Sequence, residues 1–78
     1  MRVKIQDEKP GLHPNEAVVG LKTTEGMERL VVHRRSISDN SLDIGYPISL
    51  GQNEYLIELP RETHSGAWRV WVEKDQVK

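Results

Sequence analysis

Apolar residues in this chain come in short alternating runs cut by Gly, Pro, Asn and Asp, with almost no helical spacing. A period of two places alternate side chains on opposite faces, the pattern of strands and turns. "RVKIQ" puts Val3 and Ile5 on one face of a first strand. Residues 7–16, "DEKPGLHPNE", hold two prolines and a glycine among polar residues and read as a loop. Next, "EAVVGLKTT" and "MERLVVHRR" flank Glu25-Gly26, a hairpin signal in which Gly supplies the positive φ of a tight turn. With those two residues as the turn, Leu21 faces Leu30 and Val19 faces Val32, sharing a side with Thr23 and Glu28. On the other side Lys22 faces Arg29, a like-charge conflict that a longer turn or a bulge would relieve.

The middle of the chain is more broken. Asp39-Asn40-Ser41 is a turn, Ile37, Leu42, Ile44 and Ile48 call for burial, and Gly45 and Pro47 restrict the segment to short edge strands. "GQNE", residues 51–54, turns the chain into the strand "YLIELP". Taking "RETHSG", residues 61–66, as the next loop pairs Leu59 with Trp68, Glu58 with Arg69, Ile57 with Val70 and Leu56 with Trp71. The opposite charges of Glu58 and Arg69 support that register. By alternation Leu59, Ile57, Trp68, Val70 and Val72 form the core face, and Leu56, Arg69 and Trp71 the other. The tail "VEKDQVK" fits one tight helical turn and a short closing strand.

The segment "GAWRVWVEKDQV" is similar to the closing segment of small Src-homology-3-like barrels, in which a strand ending in Trp-Val runs into a one-turn 3₁₀ helix and a last short strand. The order of strand, long loop, two hairpins and tail resembles that family over most of the chain. The resemblance implies an all-β, five-stranded barrel and one domain over residues 1–78. The alternative is an oligonucleotide/oligosaccharide-binding-type barrel, a larger fold. Peptide-binding members of the Src-homology-3 family carry an aromatic-rich first strand and a proline before the 3₁₀ turn. Here those places hold "MRVKIQ" and Glu73, so none of that family's ligand-binding residues carries over.

Composition narrows the picture. In 78 residues, 36% hydrophobic and without Phe, the core must come from Val, Leu, Ile and the two Trp. A single core of that size supplies at most ~3–5 kcal/mol net. The chain has no Cys to form a disulfide, and a short Cys-free chain points to a reducing home, a bacterial cytoplasm. Eleven Lys plus Arg against twelve Asp plus Glu leave a net charge of −1, without the basic excess of a phosphate-backbone binder. The start carries no signal-peptide apolar run, and nothing approaches the roughly 20 apolar residues of a membrane span. The chain reads as soluble and unprocessed.

Candidate chemistry is sparse. Trp71, beside Arg69 and Leu56, forms an aromatic-cationic sheet face of the kind that dominates protein recognition. Its competing reading is a second small core, with the long N-terminal loop and Leu12 folded over Trp71. His33, Arg34, Arg35 and the loop residue Arg61 are a second candidate, for phosphate or an acidic peptide. Their competing reading is a solvated strand end with ion pairs to Glu16, Glu58 or Glu62. Thr63 and Ser65 read as turn-formers bonding the loop backbone; neighbours on one loop cannot easily aim at each other as nucleophile and base. His13, His33 and His64 lack metal-ligand spacing, and no glycine loop cradles a phosphate. The expected function is a non-enzymatic binding or protein-interaction domain needing no metal or cofactor. The alternatives are a self-associating homodimer with "YPISL" as its edge, or a weak nucleic-acid binder through Arg34, Arg35, Arg61 and Arg69. An enzyme is retained only because small barrels can share active sites between subunits.

Overall fold

The computed structural model describes residues 1–77, and the chain is all-β. Nine short strands replace the five expected: β1 (Arg2–Lys4), β2 (Asp7–Pro10), β3 (Glu16–Thr23), β4 (Gly26–His33), β5 (Ile37–Ser38), β6 (Ser41–Asp43), β7 (Ser49–Leu50), β8 (Glu54–Glu58) and β9 (Arg69–Glu73). Single 3₁₀ turns follow β4 at Arg34–Ser36 and β9 at Lys74–Gln76. The strands form three antiparallel sheets, ordered β1-β6-β5, β2-β3-β4 and β7-β8-β9, which do not close into one ladder among the described residues. Single bonds join their edges instead: Thr24 N donates to Trp71 O at 2.9 Å, and His64 N to Arg29 O at 2.8 Å. Val77 bridges Val3, so the tail closes on the first strand after its 3₁₀ turn, as the spacing predicts.

The core is aliphatic. Val3, Val19, Leu21, Leu30, Leu42, Ile57 and Val72 are fully buried, drawn from all three sheets. Each belongs to the face that alternation selects, because burying one side of a strand fixes which residues point inward. Asp39 and Asn40 take positive φ values of 51° and 59° in the two-residue turn joining β5 to β6. Asn and Asp tolerate that left-handed region better than most side chains.

Three expectations are corrected. First, part of the expected loop over residues 7–16 is strand: β2 pairs with β3 from Asp7↔Gly20 to Pro10↔Ala17. Pro10 is tolerated because β2 is the outer strand of its sheet, where a missing N–H leaves no ladder partner stranded.

Second, the β3–β4 turn is Thr24-Glu25, with Thr23 opposite Gly26 and Val19 opposite Leu30. Thr23 builds this turn, its hydroxyl donating to Gly26 O at 2.7 Å and accepting from Glu25 N at 3.2 Å. Gly26 follows at φ 122°. The two-residue slip keeps every side chain on its expected face, since the period is two. It also removes the Lys22–Arg29 conflict. Arg29 now lies opposite Gly20 and donates to Asp7 Oδ1 at 2.6 Å. A Cβ on Gly20 would stand 2.8 Å from that oxygen, so glycine leaves the ion pair room to lie on the sheet.

Third, Trp68 is not core: it is 53% exposed. The β8–β9 register is as expected, from Glu58↔Arg69 through Leu56↔Trp71, and Leu59 N donates to Trp68 O at 2.9 Å. Alternation therefore puts Trp68 on the core side, but it stands one residue before β9 begins, where its neighbours Leu59 and Ala67 already occupy the core. A small aliphatic core has no depth left there for an indole. Ile48 is likewise 44% exposed on the edge of the third sheet.

Candidate functional site

The outer face of the β7-β8-β9 sheet is set by the hydrogen-bond phase of the β8–β9 ladder. Leu59–Trp68 and Asn53–Lys74 are bonded positions, the latter through Lys74 N to Asn53 O at 3.1 Å. The pairs Glu58–Arg69, Leu56–Trp71 and Glu54–Glu73 therefore fall on the non-hydrogen-bonded phase. There Cα atoms approach to about 4.5 Å and side chains stand closest. Three cross-strand pairs thus line up along one face: an ion pair, an apolar pair and a like-charge pair.

Trp71 and Leu56 are both half-buried. Leu12, expected as a cover for Trp71, is 99% exposed and does not cover it. The ring rests across Gly51, where an added Cβ would lie 3.6 Å from Cζ3. Arg69 pairs with Glu58 across the ladder, with Nε 3.3 Å from Oε2. The cation expected to accompany Trp71 is already neutralised.

Trp71 and Arg69 also form one wall of a cleft of about 360 Å³ whose other wall is the β3–β4 turn, with Glu25, Met27 and Glu28. Its floor is held by Thr63, which accepts from Ala67 N at 3.0 Å and donates to Glu28 Oε1 at 3.1 Å. Thr63 is the turn-former expected. The hydroxyl of Ser65 instead donates to Glu28 and lies 3.1 Å from the Thr63 hydroxyl, contacting side chains rather than the loop backbone. Both hydroxyls are thus committed to one carboxylate, and neither bonds the His64 ring.

The second group of arginines lies elsewhere. Arg34 and Arg35 occupy the 3₁₀ turn after β4, where His33 Nδ1 accepts from Arg35 N at 3.2 Å and caps the turn. Arg34 reaches Glu8 at 3.2 Å and the Pro14 carbonyl at 3.0 Å. Arg61 pairs with Glu16 at 3.5 Å. Of the ion pairs expected for this group, Arg61–Glu16 is present; Glu58 is taken by Arg69 instead, Arg34 pairs with Glu8, and Arg35 has no carboxylate partner among the described residues. The eight residues of β4 separate this basic end from the cleft, roughly 24 Å at the rise of an extended strand. The six candidate residues make two places, not one.

The shortest ion pair, Arg29 to Asp7, is in neither place. Asp7 accepts from Arg29, and that hydrogen bond, helped by the guanidinium charge, holds its carboxyl below the usual carboxylate range against an opposing desolvation. It ties β2 to β4 across β3. The carboxylates flanking Trp71 were not singled out from the sequence, although the register that pairs Leu56 with Trp71 also pairs Glu54 with Glu73. No group of His, Asp and Glu that could hold a metal is present among the described residues, and no helix among them is long and apolar enough to cross a membrane. No family model, characterised protein or solved structure matches the chain.

Proposed function

We propose that this protein is a small Src-homology-3-like binding domain that docks a protein or peptide on the outer face of β8 and β9, without catalysis. The observation that carries the reading is the half-buried Leu56–Trp71 pair beside an open cleft. Both residues sit on a strand ladder whose core contribution comes from the other face, through Ile57, Leu59, Val70 and Val72, so the core makes no demand for an indole there. Large aromatic side chains are disproportionately the anchors of protein interfaces. The barrel assignment is supported by the tail, in which β9, the 3₁₀ turn and the Val77–Val3 bridge follow in the family's order.

The test uses Trp68→Phe, which leaves Trp71 as the sole indole. Its emission should be partly quenchable by acrylamide, and peptides selected on this variant from a random display library should bind at least tenfold more weakly after Trp71→Ala. A blue, quencher-resistant emission, or peptides indifferent to Trp71→Ala, would overturn the reading. Phosphate binding through the arginines has less support, because Arg34, Arg61 and Arg69 are each engaged by a carboxylate.

A second reading, self-association, draws on a different edge. Tyr46, Ile48 and Leu50, around β7, are 92%, 44% and 70% exposed, and β7 leaves one side of its backbone without a strand partner. An exposed apolar edge of this kind is a template for pairing. Sedimentation at micromolar concentration checks it: a monomer removes the edge-to-edge dimer.

A further inference from the structure

We infer that the occupant of the Trp71 face is an extended protein segment bearing Arg or Lys, one cation of which sits between the indole and the Glu54–Glu73 pair. The inference rests on the docking reading above and assigns the chemistry of the partner.

Two openings border β9: the cleft already described, lined by Trp71 with Glu25 and Glu28, and a second of about 420 Å³ lined by Thr24, Glu54, Glu73, Lys74 and Asp75. Together their walls carry five carboxylates and two cations, Arg69 and Lys74. Arg69 is held by Glu58, and Lys74 is drawn over the Tyr55 ring, its Nζ 5.6 Å from the centroid. Glu54 and Glu73 face each other directly across the ladder with no basic partner among the described residues. Like charges at such a pair oppose folding, and Glu73 makes no capping bond to the 3₁₀ turn it precedes. A lysine at either position would relieve the repulsion, so the pair breaks a local rule that nothing inside the fold repays. Sites where sequence works against its own fold are where a ligand is expected to supply the missing term.

The geometry suits one cation. Trp71 and Glu73 are two residues apart on the same face of β9, about 7 Å by the strand rise. A guanidinium or ammonium within about 6 Å of an indole is attracted by its ring, and a guanidinium forks to carboxylates while it does so. An extended partner repeats its own side chains at the same spacing. A cation over Glu54 and Glu73 therefore brings its neighbour two residues on to Leu56 and Trp71. A nucleic-acid strand would meet the same carboxylates with its phosphates and be repelled.

The experiment uses the Trp68→Phe protein and three acetylated, amidated octapeptides with Leu alternating with Lys, Ser or Glu, read by Trp71 fluorescence at low salt. The Lys peptide should bind at least tenfold tighter than the other two and weaken as salt is raised. Glu73→Lys should raise the melting temperature, showing the fold intact, while reducing affinity for the Lys peptide at least tenfold. Glu62→Gln, an exposed carboxylate on the far loop, should change nothing. Equal or tighter binding of the Ser or Glu peptide, with sensitivity to Trp71→Ala, overturns the basic partner and leaves the docking face standing. An equal loss with Glu62→Gln shows general charge attraction and overturns it as well. Peptides selected without regard to charge that ignore Trp71→Ala overturn the docking face itself.

Discussion

The two indoles stand three residues apart on one segment, and their surroundings invert what alternation assigns them. Trp68 is on the packed side of its sheet yet 53% exposed, while Trp71 is on the open side and half-buried. Alternation decides which side of a sheet a residue takes. It does not decide whether anything lies over that side. Trp68 stands just before β9, beside Leu59 and Ala67, which already fill the core there, whereas Trp71 falls opposite Leu56 in mid-ladder and rests across Gly51. Position along the strand outweighs side of the strand once the core is this shallow.

That contrast can be broken most forcefully from below. Ile57, fully buried and next to Leu56 on β8, reports the packed face. Ile57→Ala should cost about 2–5 kcal/mol in urea denaturation. A cost no greater than that of Trp71→Ala would mean that the two faces of this ladder are equally packed. Trp71→Ala should itself cost about 1–2 kcal/mol, from partial burial of a large side chain. Trp68→Ala should fall within about 0.5 kcal/mol of the parent, as exposed substitutions do. If Trp68→Ala proves the more costly, the assignment of exposure is reversed. Glu73→Lys should act in the opposite direction, stabilising by about 0.2–1 kcal/mol through loss of a like-charge pair. An unchanged or lowered stability would show that the Glu54–Glu73 repulsion is already relieved in the free protein.

The smallest test lies away from both indoles. Asp7 has its carboxyl held below the ordinary range by Arg29. Its contribution to stability is thus present above the unfolded carboxylate pKa, about 3.9, and is lost as pH falls through the lower folded value. Asp7→Asn should reduce the acid sensitivity of unfolding below about pH 4 while leaving the fluorescence of both tryptophans unchanged. Gly20→Ala, whose Cβ would crowd Asp7 Oδ1, should reduce the same pH dependence without deleting either charge. An acid limb as steep in both variants as in the parent would place the sensitivity in other carboxylates.

Two hairpins show how far the residues alone could be read. In β8–β9 the Glu58–Arg69 pair and a long loop left one sensible register, and that register is found. In β3–β4 Glu25-Gly26 drew the turn to the glycine, while the Thr23 hydroxyl in fact organises the turn one position earlier. Lys22 opposite Arg29 had marked the conflict, but its resolution needed Asp7, thirteen residues before Gly20 and part of a segment that reads as loop. The candidate site was legible as far as Leu56, Arg69 and Trp71. Its acidic surroundings follow from the same register carried two pairs further, together with a cleft wall borrowed from the β3–β4 turn.

Local order was therefore written into the chain: the strands, most turns, the faces of both hairpins and the aliphatic core, because a period of two and the φ demands of Gly, Asp and Asn act over a few residues. The tertiary structure alone decided which faces were covered, which carboxylate took each arginine, and where Trp68 stood relative to the edge of the core. Those outcomes depend on groups distant in sequence competing for limited buried space and for the same charges, and neighbouring residues carry no record of that competition.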